Sequence, residues 1–194
     1  MKEQGNIHFC GVGGQGILLA SELTAYALLA AGFDAKKSEV HGMAQRGGSV
    51  EAHLRFGRGK VYSPLIEPGT VDIMLAFEMM EAARYLPFLN KQSTVIVNTQ
   101  KIPPPSVATG KVAYPDNCLD ALTSQGITVV GVDAFAIARA SGNIKAVNVA
   151  LVGVLSRYLP IEEATWIEVI KKRLPAKIVD VNLAAFHEGR KASA

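Results

Sequence analysis

Asn6-Ile7-His8-Phe9-Cys10 runs into Gly11-Val12-Gly13-Gly14-Gln15-Gly16, and the apolar stretch Ile17–Ala31 follows, closed by Gly32. A short apolar run, a glycine turn and a long apolar segment ended by glycine read as strand, turn and helix. Asp34–Val40 resumes as a strand, so the chain opens as an α/β sheet. Gly11, Gly13 and Gly16 fit the G-x-G-x-x-G spacing. There, small residues let a ligand approach the backbone, and the helix N-terminus favours an anion. A dinucleotide site also needs an acid near the end of the second strand, and Glu39 stands near that place. Three features oppose that reading. Gly14 and Gln15 put a further glycine and a polar amide at the crown of the turn. Glu39 leads at once into a glycine-rich segment. A hairpin then replaces the second crossover helix.

Beyond this unit, Val50–Phe56 alternates apolar and polar residues as a half-buried strand does. Gly57-Arg58-Gly59 is turn chemistry, and Lys60–Ser63 is expected to return as the hairpin partner. Val71–Phe77 reads as a buried strand followed by a helix over Glu78–Leu86, and Thr94–Asn98 as another strand. Lys101–Ser106 holds three prolines, a stiff extended connection. A short helix over Asn117–Ser124, a strand over Thr128–Val132 and helices over Ala134–Ala140, Val147–Tyr158 and Ile161–Arg173 follow. A tail helix is expected near Asn182–Glu188. The expected fold is a three-layer αβα, Rossmann-like α/β architecture. Its sheet is mainly parallel, made mixed by an antiparallel hairpin, and residues 1–194 form a single domain.

Composition narrows the function. The chain has 194 residues, 49% hydrophobic and 19% charged, with a net charge of +3. This is enough to bury a core without staples, and too mild and scattered a charge for a nucleic-acid stripe. With two cysteines, Cys10 and Cys118, neither an iron–sulfur cluster nor a thiolate zinc site is expected from this chain. The scarcity of cysteine fits a reducing cytoplasm. The N-terminus lacks a signal-peptide layout, and Glu22 interrupts the apolar stretch Ile17–Phe33, so no membrane partner is expected. His8 in a core strand and His53 in an alternating one read as structural or solvent-facing. No histidine pair is expected to share a face at metal-ligand spacing, so no metal is expected here.

A second segment carries functional weight: Ser38-Glu39-Val40-His41-Gly42-Met43-Ala44-Gln45-Arg46-Gly47-Gly48-Ser49-Val50. It is too polar and glycine-rich for a core element, and it follows a strand of an open sheet, where ligands and partners bind. Arg46 before two glycines sets a guanidinium fork beside open backbone, suited to a carboxylate, a phosphate or an acidic partner surface.

The turn GVGGQG, the segment SEVHGMAQRGGSV, VYSPLI at 61–66 and DIMLAFE at 72–78 together resemble the gamma-type domain of 2-oxoacid:ferredoxin oxidoreductases. So do VDAFAIARASGN at 132–143 and NVALVGVL at 148–155. The form HGMAQRGG is most similar to the beta subunit of indolepyruvate ferredoxin oxidoreductases. The resemblance implies a small subunit, inactive alone, in a complex that oxidatively decarboxylates a 2-oxoacid to an acyl-CoA and passes electrons to ferredoxin. Thiamine diphosphate, Mg and the iron–sulfur clusters would sit on the large catalytic subunit, with none on this chain, and CoA and ferredoxin would be substrates of the complex. This chain fits that division, having neither cluster cysteines nor a thiamine-type GDG motif. The alternatives are the gamma subunit of a pyruvate, 2-oxoglutarate or ketoisovalerate enzyme, a stand-alone dinucleotide-binding oxidoreductase, and a regulatory paralogue.

Two patches are therefore candidates for a ligand or for the partner's active site. Gly11, Gly13, Gly14, Gln15 and Gly16 form the first; Glu39, His41, Gln45, Arg46, Gly47, Gly48 and Ser49 form the second. Glu78, directly after a strand, either lines the same crevice or caps the next helix. Asp133 reads as a plain helix cap. No catalytic residue is assigned.

Overall fold

A computed structural model describes residues 3–41, 48–103 and 105–192. In chain order the elements are β1 (Gln4–Val12), α1 (Ile17–Ala30), β2 (Asp34–His41), β3 (Ser49–Gly57), β4 (Ile73–Ala76), α2 (Met79–Arg84) and β5 (Thr94–Asn98). Then come α3 (Pro105–Ala108), α4 (Cys118–Thr123), β6 (Thr128–Val132), α5 (Ala134–Ala140), α6 (Val147–Leu155), α7 (Glu163–Arg173) and α8 (Ala176–Ala192). The strands form one sheet in the order β2-β3-β1-β4-β5-β6. β1, β4, β5 and β6 run parallel, and β3 is antiparallel to both β1 and β2.

Alternation along the strands builds two cores. Ile7 and Phe9 of β1, Val50, Ala52, Leu54 and Phe56 of β3 and Leu75 of β4 point to one face, where they meet α1, α5, α6, α7 and α8. Cys10, Met74, Ala76, Val95 and Val97 point to the other, where α2 and α4 cover them. The result is the expected three-layer, mixed-sheet α/β fold. Fully buried Trp166, Phe186 and Leu151 lie in the first core. Each such side chain contributes about 1.5–3 kcal/mol by leaving water. Among the described residues no helix is long and apolar enough to cross a membrane.

The hairpin differs from expectation. β3 pairs along its length with β1 on one side and β2 on the other, so both its edges are taken and Lys60–Ser63 has no ladder to join. That stretch instead opens an irregular strap from Arg58 to Asp72, moored where Val61 N–H donates to Asp34 Oδ2 at 2.8 Å. The tail helix is also longer than expected. It starts right after Pro175 and runs through Gly189, a residue that shortens helix expectations by propensity. The reason is packing. A Cβ on Gly189 would lie 2.0 Å from the Ala150 carbonyl oxygen, and one on Gly153 would lie 2.2 Å from that of Phe186. α6 and α8 thus cross backbone against backbone.

Candidate functional site

The parallel strands end at one edge, and that edge gathers most of the residues singled out above. The glycine turn follows β1. Ser49 lies opposite Val12 in the β1–β3 ladder. Glu78 follows β4 by two residues. Gly13 N–H donates to the Gly48 carbonyl at 2.8 Å, tying the turn to the chain as it enters β3. Glu39 is not part of this group. It pairs with Ala52 on β2, and β3 separates β2 from β1, so its carboxylate is one strand too far out for the ribose of a dinucleotide on the glycine turn. His41 closes β2 opposite Val50. Gln45, Arg46 and Gly47 lie outside the described residues.

Three backbone donors at the turn, those of Val12, Gly13 and Gln15, are already committed within the chain. Gln15 folds back so that its Oε1 accepts Val12 N–H at 2.7 Å, while its Nε2 donates to the Phe77 carbonyl at 2.8 Å. Gln15 N–H donates to Val12 O at 3.2 Å. Gly11 is required by closeness, since a Cβ there would sit 2.7 Å from Phe77 Cβ and 2.8 Å from Gln15 Oε1. Gly16 takes φ +79° with Asn148 against it, the left-handed region that favours glycine. A pyrophosphate cradle needs free N–H groups aimed outward. Here the amides of Val12 and Gly13 are spent within the chain. Beside the turn lies a crevice of about 380 Å³, whose walls include Gly14, Gln100, Phe135, Ile144, Lys145 and Asn148.

Glu78 is a buried helix cap. One oxygen accepts from Met80 N–H and Glu81 N–H at 2.7 and 3.1 Å. The other accepts from Ile102 N–H at 3.3 Å and from the Tyr114 hydroxyl. Burial and this carboxylate together push the Tyr114 phenol up, so it remains a donor. Glu78 therefore joins the first turn of α2 to the 102–114 segment. Asp133 caps α5, accepting from Ala136 N–H at 2.9 Å.

Sequence reasoning missed the partners of these residues. Ser49 Oγ donates to Glu81, and its oxygen lies 3.1 Å from the Tyr85 hydroxyl; Arg84 Nε donates to the Glu81 oxygens at 3.0 and 3.2 Å. Glu81 is buried and stands one helical turn after Glu78. That spacing in a first turn was the available signal.

The histidine reading needs correction. β1 and β3 pair His8 directly with His53, so the two share a face, on which Glu51 joins them. Glu51 Oε2 is 2.8 Å from His8 Nε2 and 3.4 Å from His53 Nε2. Alternation alone gave the facing of each strand but not the register between them. As for a cluster or thiamine site, Cys10 and Cys118 are buried and free. Burial pushes both thiols up, and Cys118 Sγ donates to the Pro115 carbonyl at 2.8 Å. Two thiols so placed do not fit an iron–sulfur cluster.

Comparison with known proteins agrees with this architecture. The family model described as pyruvate ferredoxin/flavodoxin oxidoreductase matches residues 6–192. The indolepyruvate oxidoreductase subunit IorB of Archaeoglobus fulgidus is 45% identical over 188 residues, covering 95% of this chain and 92% of the relative. The subunit of the same name from Thermococcus kodakarensis is 42% identical over 200 residues, covering 100% and 97%. The gamma subunit of a keto/oxoacid ferredoxin oxidoreductase from Geobacter sulfurreducens shares the fold with a TM-score of 0.73 at 19% identity, covering 97% of this chain and 98% of that one. The chain belongs to the pyruvate ferredoxin/flavodoxin oxidoreductase family, as a small subunit of a 2-oxoacid:ferredoxin oxidoreductase.

Proposed function

We propose that this chain is the small subunit of an indolepyruvate-type, arylpyruvate-using ferredoxin oxidoreductase and has no turnover by itself. The complex would convert a 2-oxoacid and CoA to acyl-CoA and CO₂, with two electrons passing to ferredoxin. Thiamine diphosphate, Mg and the iron–sulfur clusters would lie on a large subunit of the same complex. The small subunit would set its carboxyl edge, with the Gly11–Gly16 turn and the 39–49 segment, against that subunit. As a cytoplasmic protein it would meet ferredoxin in the same compartment.

The observation that carries this reading is the internal use of the turn's donors. Val12 N–H goes to Gln15 and Gly13 N–H to Gly48, so the first half of the glycine motif is spent on closing a protein edge, which favours a partner-facing turn over a nucleotide cradle. The shared name of the relatives supports the substrate class. The test is reconstitution with a large subunit that carries cluster cysteines and a thiamine-type motif. CoA-dependent viologen reduction with indolepyruvate or phenylpyruvate is expected from the complex and from neither chain alone. Robust turnover by the purified small subunit, or NAD(H) binding at micromolar concentration, would sink the proposal.

A further inference from the structure

Residues 99–117 join β5 to α4 with one turn of helix, α3, inside them. An excursion longer than about 12–15 residues with so little regular structure is uncommon in a compact domain and is usually functional. Here it is closed at its base. Ile102 N–H donates to Glu78 Oε1 at 3.3 Å, and the Tyr114 hydroxyl donates to the same oxygen. Just outside that point Lys101 pairs with Asp116, its ammonium 5.2 Å from the centre of the Tyr114 ring. Residues 102–114 thus leave and return at one buried carboxylate oxygen, the layout of an Ω-loop.

Glu78 is fully buried, and a buried carboxylate is costly unless hydrogen bonds satisfy it. Its Oε2 serves α2, accepting from the Met80 and Glu81 N–H groups. Its Oε1 serves the loop. Yet the tip of the loop brings no apolar area to either core: residues 108–113 are all exposed, Val112 by 59%. The tip is nonetheless shaped. Gly110 takes φ +73°, the left-handed region that favours glycine, and its N–H donates to the Val107 carbonyl at 2.9 Å. A loop held at its base and shaped at its tip has little left to order when it binds.

We propose, on the small-subunit reading above, that residues 102–114 are a docking loop for the large subunit, set in place by Glu78 and Tyr114, with Lys111 and Val112 entering an apolar hollow that has an acidic rim. Lys111 is the one charged residue between Ile102 and Tyr114, so the tip offers a cation beside an exposed aliphatic side chain. The hollow takes the valine out of water, and a carboxylate at its rim meets the ammonium. Glu78 and Tyr114 are positioning residues: they hold the base of the loop and act on the partner only through its tip.

The place of the loop favours this occupant. It leaves from the carboxyl end of β5, a parallel neighbour of β4, on the edge that carries the glycine turn. Gln100 and Ile102 wall the same crevice as Gly14 and Gln15. Phe77, the residue before Glu78, accepts from Gln15 Nε2 at 2.8 Å. The dipeptide Phe77-Glu78 therefore ties both the turn and the loop, and a partner seated on the turn has the base of the loop at its flank.

The experiment uses the full chain reconstituted with a large subunit that carries cluster cysteines and a thiamine-type motif. Hydrogen exchange should show the 108–113 amides of the native chain slowed on assembly. Val112→Asp should leave the melting temperature of the isolated chain unchanged and weaken assembly by about tenfold or more, since it sets an acid against an acidic rim. Tyr114→Phe keeps the ring and removes one of the two donors at the base of the loop, so assembly should weaken several-fold. In the Val112→Asp background the same change should add little, because both act through one tip, whereas a merely structural Tyr114 gives additive losses. Unslowed 108–113 amides in a complex that has formed, unchanged affinity for Val112→Asp, or additive losses would each overturn the docking loop and leave the small-subunit reading standing. A native chain that binds no such large subunit overturns both.

Discussion

The side-chain amide of Gln15 donates to the Phe77 carbonyl at 2.8 Å, while its oxygen accepts from Val12 N–H at 2.7 Å. One glutamine thereby joins the ends of two parallel neighbours, β1 and β4. Phe77 O has a second donor in Asn98 Nδ2 at 3.3 Å, whereas Gln15 Oε1 is the acceptor seen for Val12 N–H among the described residues. Gln15→Ala is accordingly expected to leave one buried donor unmet and to cost about 1–3 kcal/mol of stability, measured by urea denaturation. Gln15→Glu retains an acceptor for Val12 but faces the Phe77 carbonyl with a second acceptor, so it should recover less than the full loss. Equal midpoints for native chain and Gln15→Ala would show that the turn closes without its glutamine.

The crossing of α6 and α8 sets packing against propensity. In an exposed helix, alanine in place of glycine gains roughly 1 kcal/mol. At Gly189 the added Cβ would meet the Ala150 carbonyl oxygen at 2.0 Å, a backbone atom that cannot rotate aside. Overpacking of this kind costs about 1–3 kcal/mol and sometimes more, so the net sign is unfavourable. Gly189→Ala should lower the denaturation midpoint, and Gly153→Ala should do the same from the other side. A stabilised Gly189→Ala variant would mean that the helices separate easily.

These glycines show what a sequence does and does not reveal. The bounds of β5, β6 and α5 were readable because apolar runs and turn residues coincide there. The sheet order was not, because both edges of β3 look alike in sequence. The hairpin partner was therefore sought downstream, in Lys60–Ser63, when β2 and β1 supply both. The site shows the same division. Gly11–Gly16 and Gly48–Ser49 were legible as motifs, but contacts that hold them span 32 or more residues of sequence, as with Ser49 and Glu81, Gln15 and Phe77, and Gly13 and Gly48. His8 and His53 met only once the register was known.

Stability should fall on acidification, with two groups of the same sign contributing. Glu51 is drawn down to about 2, chiefly by the His53 and His8 hydrogen bonds. A carboxylate depressed in the folded state contributes stability above its unfolded value near 4.5 and loses it as pH falls toward 2. His8 is depressed by burial, so the unfolded chain takes up that proton first. Its contribution is complete above about 6.5 and declines below it. Urea midpoints are expected to drop from about pH 6.5 downward and again below about pH 4.5. Glu51→Gln should flatten the lower segment and His8→Phe the upper. A midpoint that rises between about pH 6.5 and about pH 5 would reverse the sign argued for His8.

Arg46 is the residue on which the proposed partner contact is most exposed to refutation. In sequence it stands between a glutamine and two glycines, and the chain just after it is tied down where Gly48 accepts from Gly13 and Ser49 meets Glu81 and Tyr85. Its fork can pair bidentately with a carboxylate or phosphate on the large subunit, where lysine supplies a point charge. Arg46→Ala should leave the stability of the isolated chain within roughly 0.5 kcal/mol of the native value. Affinity for the large subunit, or arylpyruvate turnover of the complex, should fall by about tenfold or more, the loss of a charge-assisted contact worth about 1.5–3 kcal/mol. Arg46→Lys should restore part of that loss. Ser49→Ala supplies the contrast: it removes a tether inside the chain, so its effect should appear in the isolated subunit as well as in the complex. If Arg46→Ala lowers the melting temperature of the isolated chain and leaves assembly unchanged, the arginine is an internal clamp, and the partner-facing role passes to the glycine turn alone.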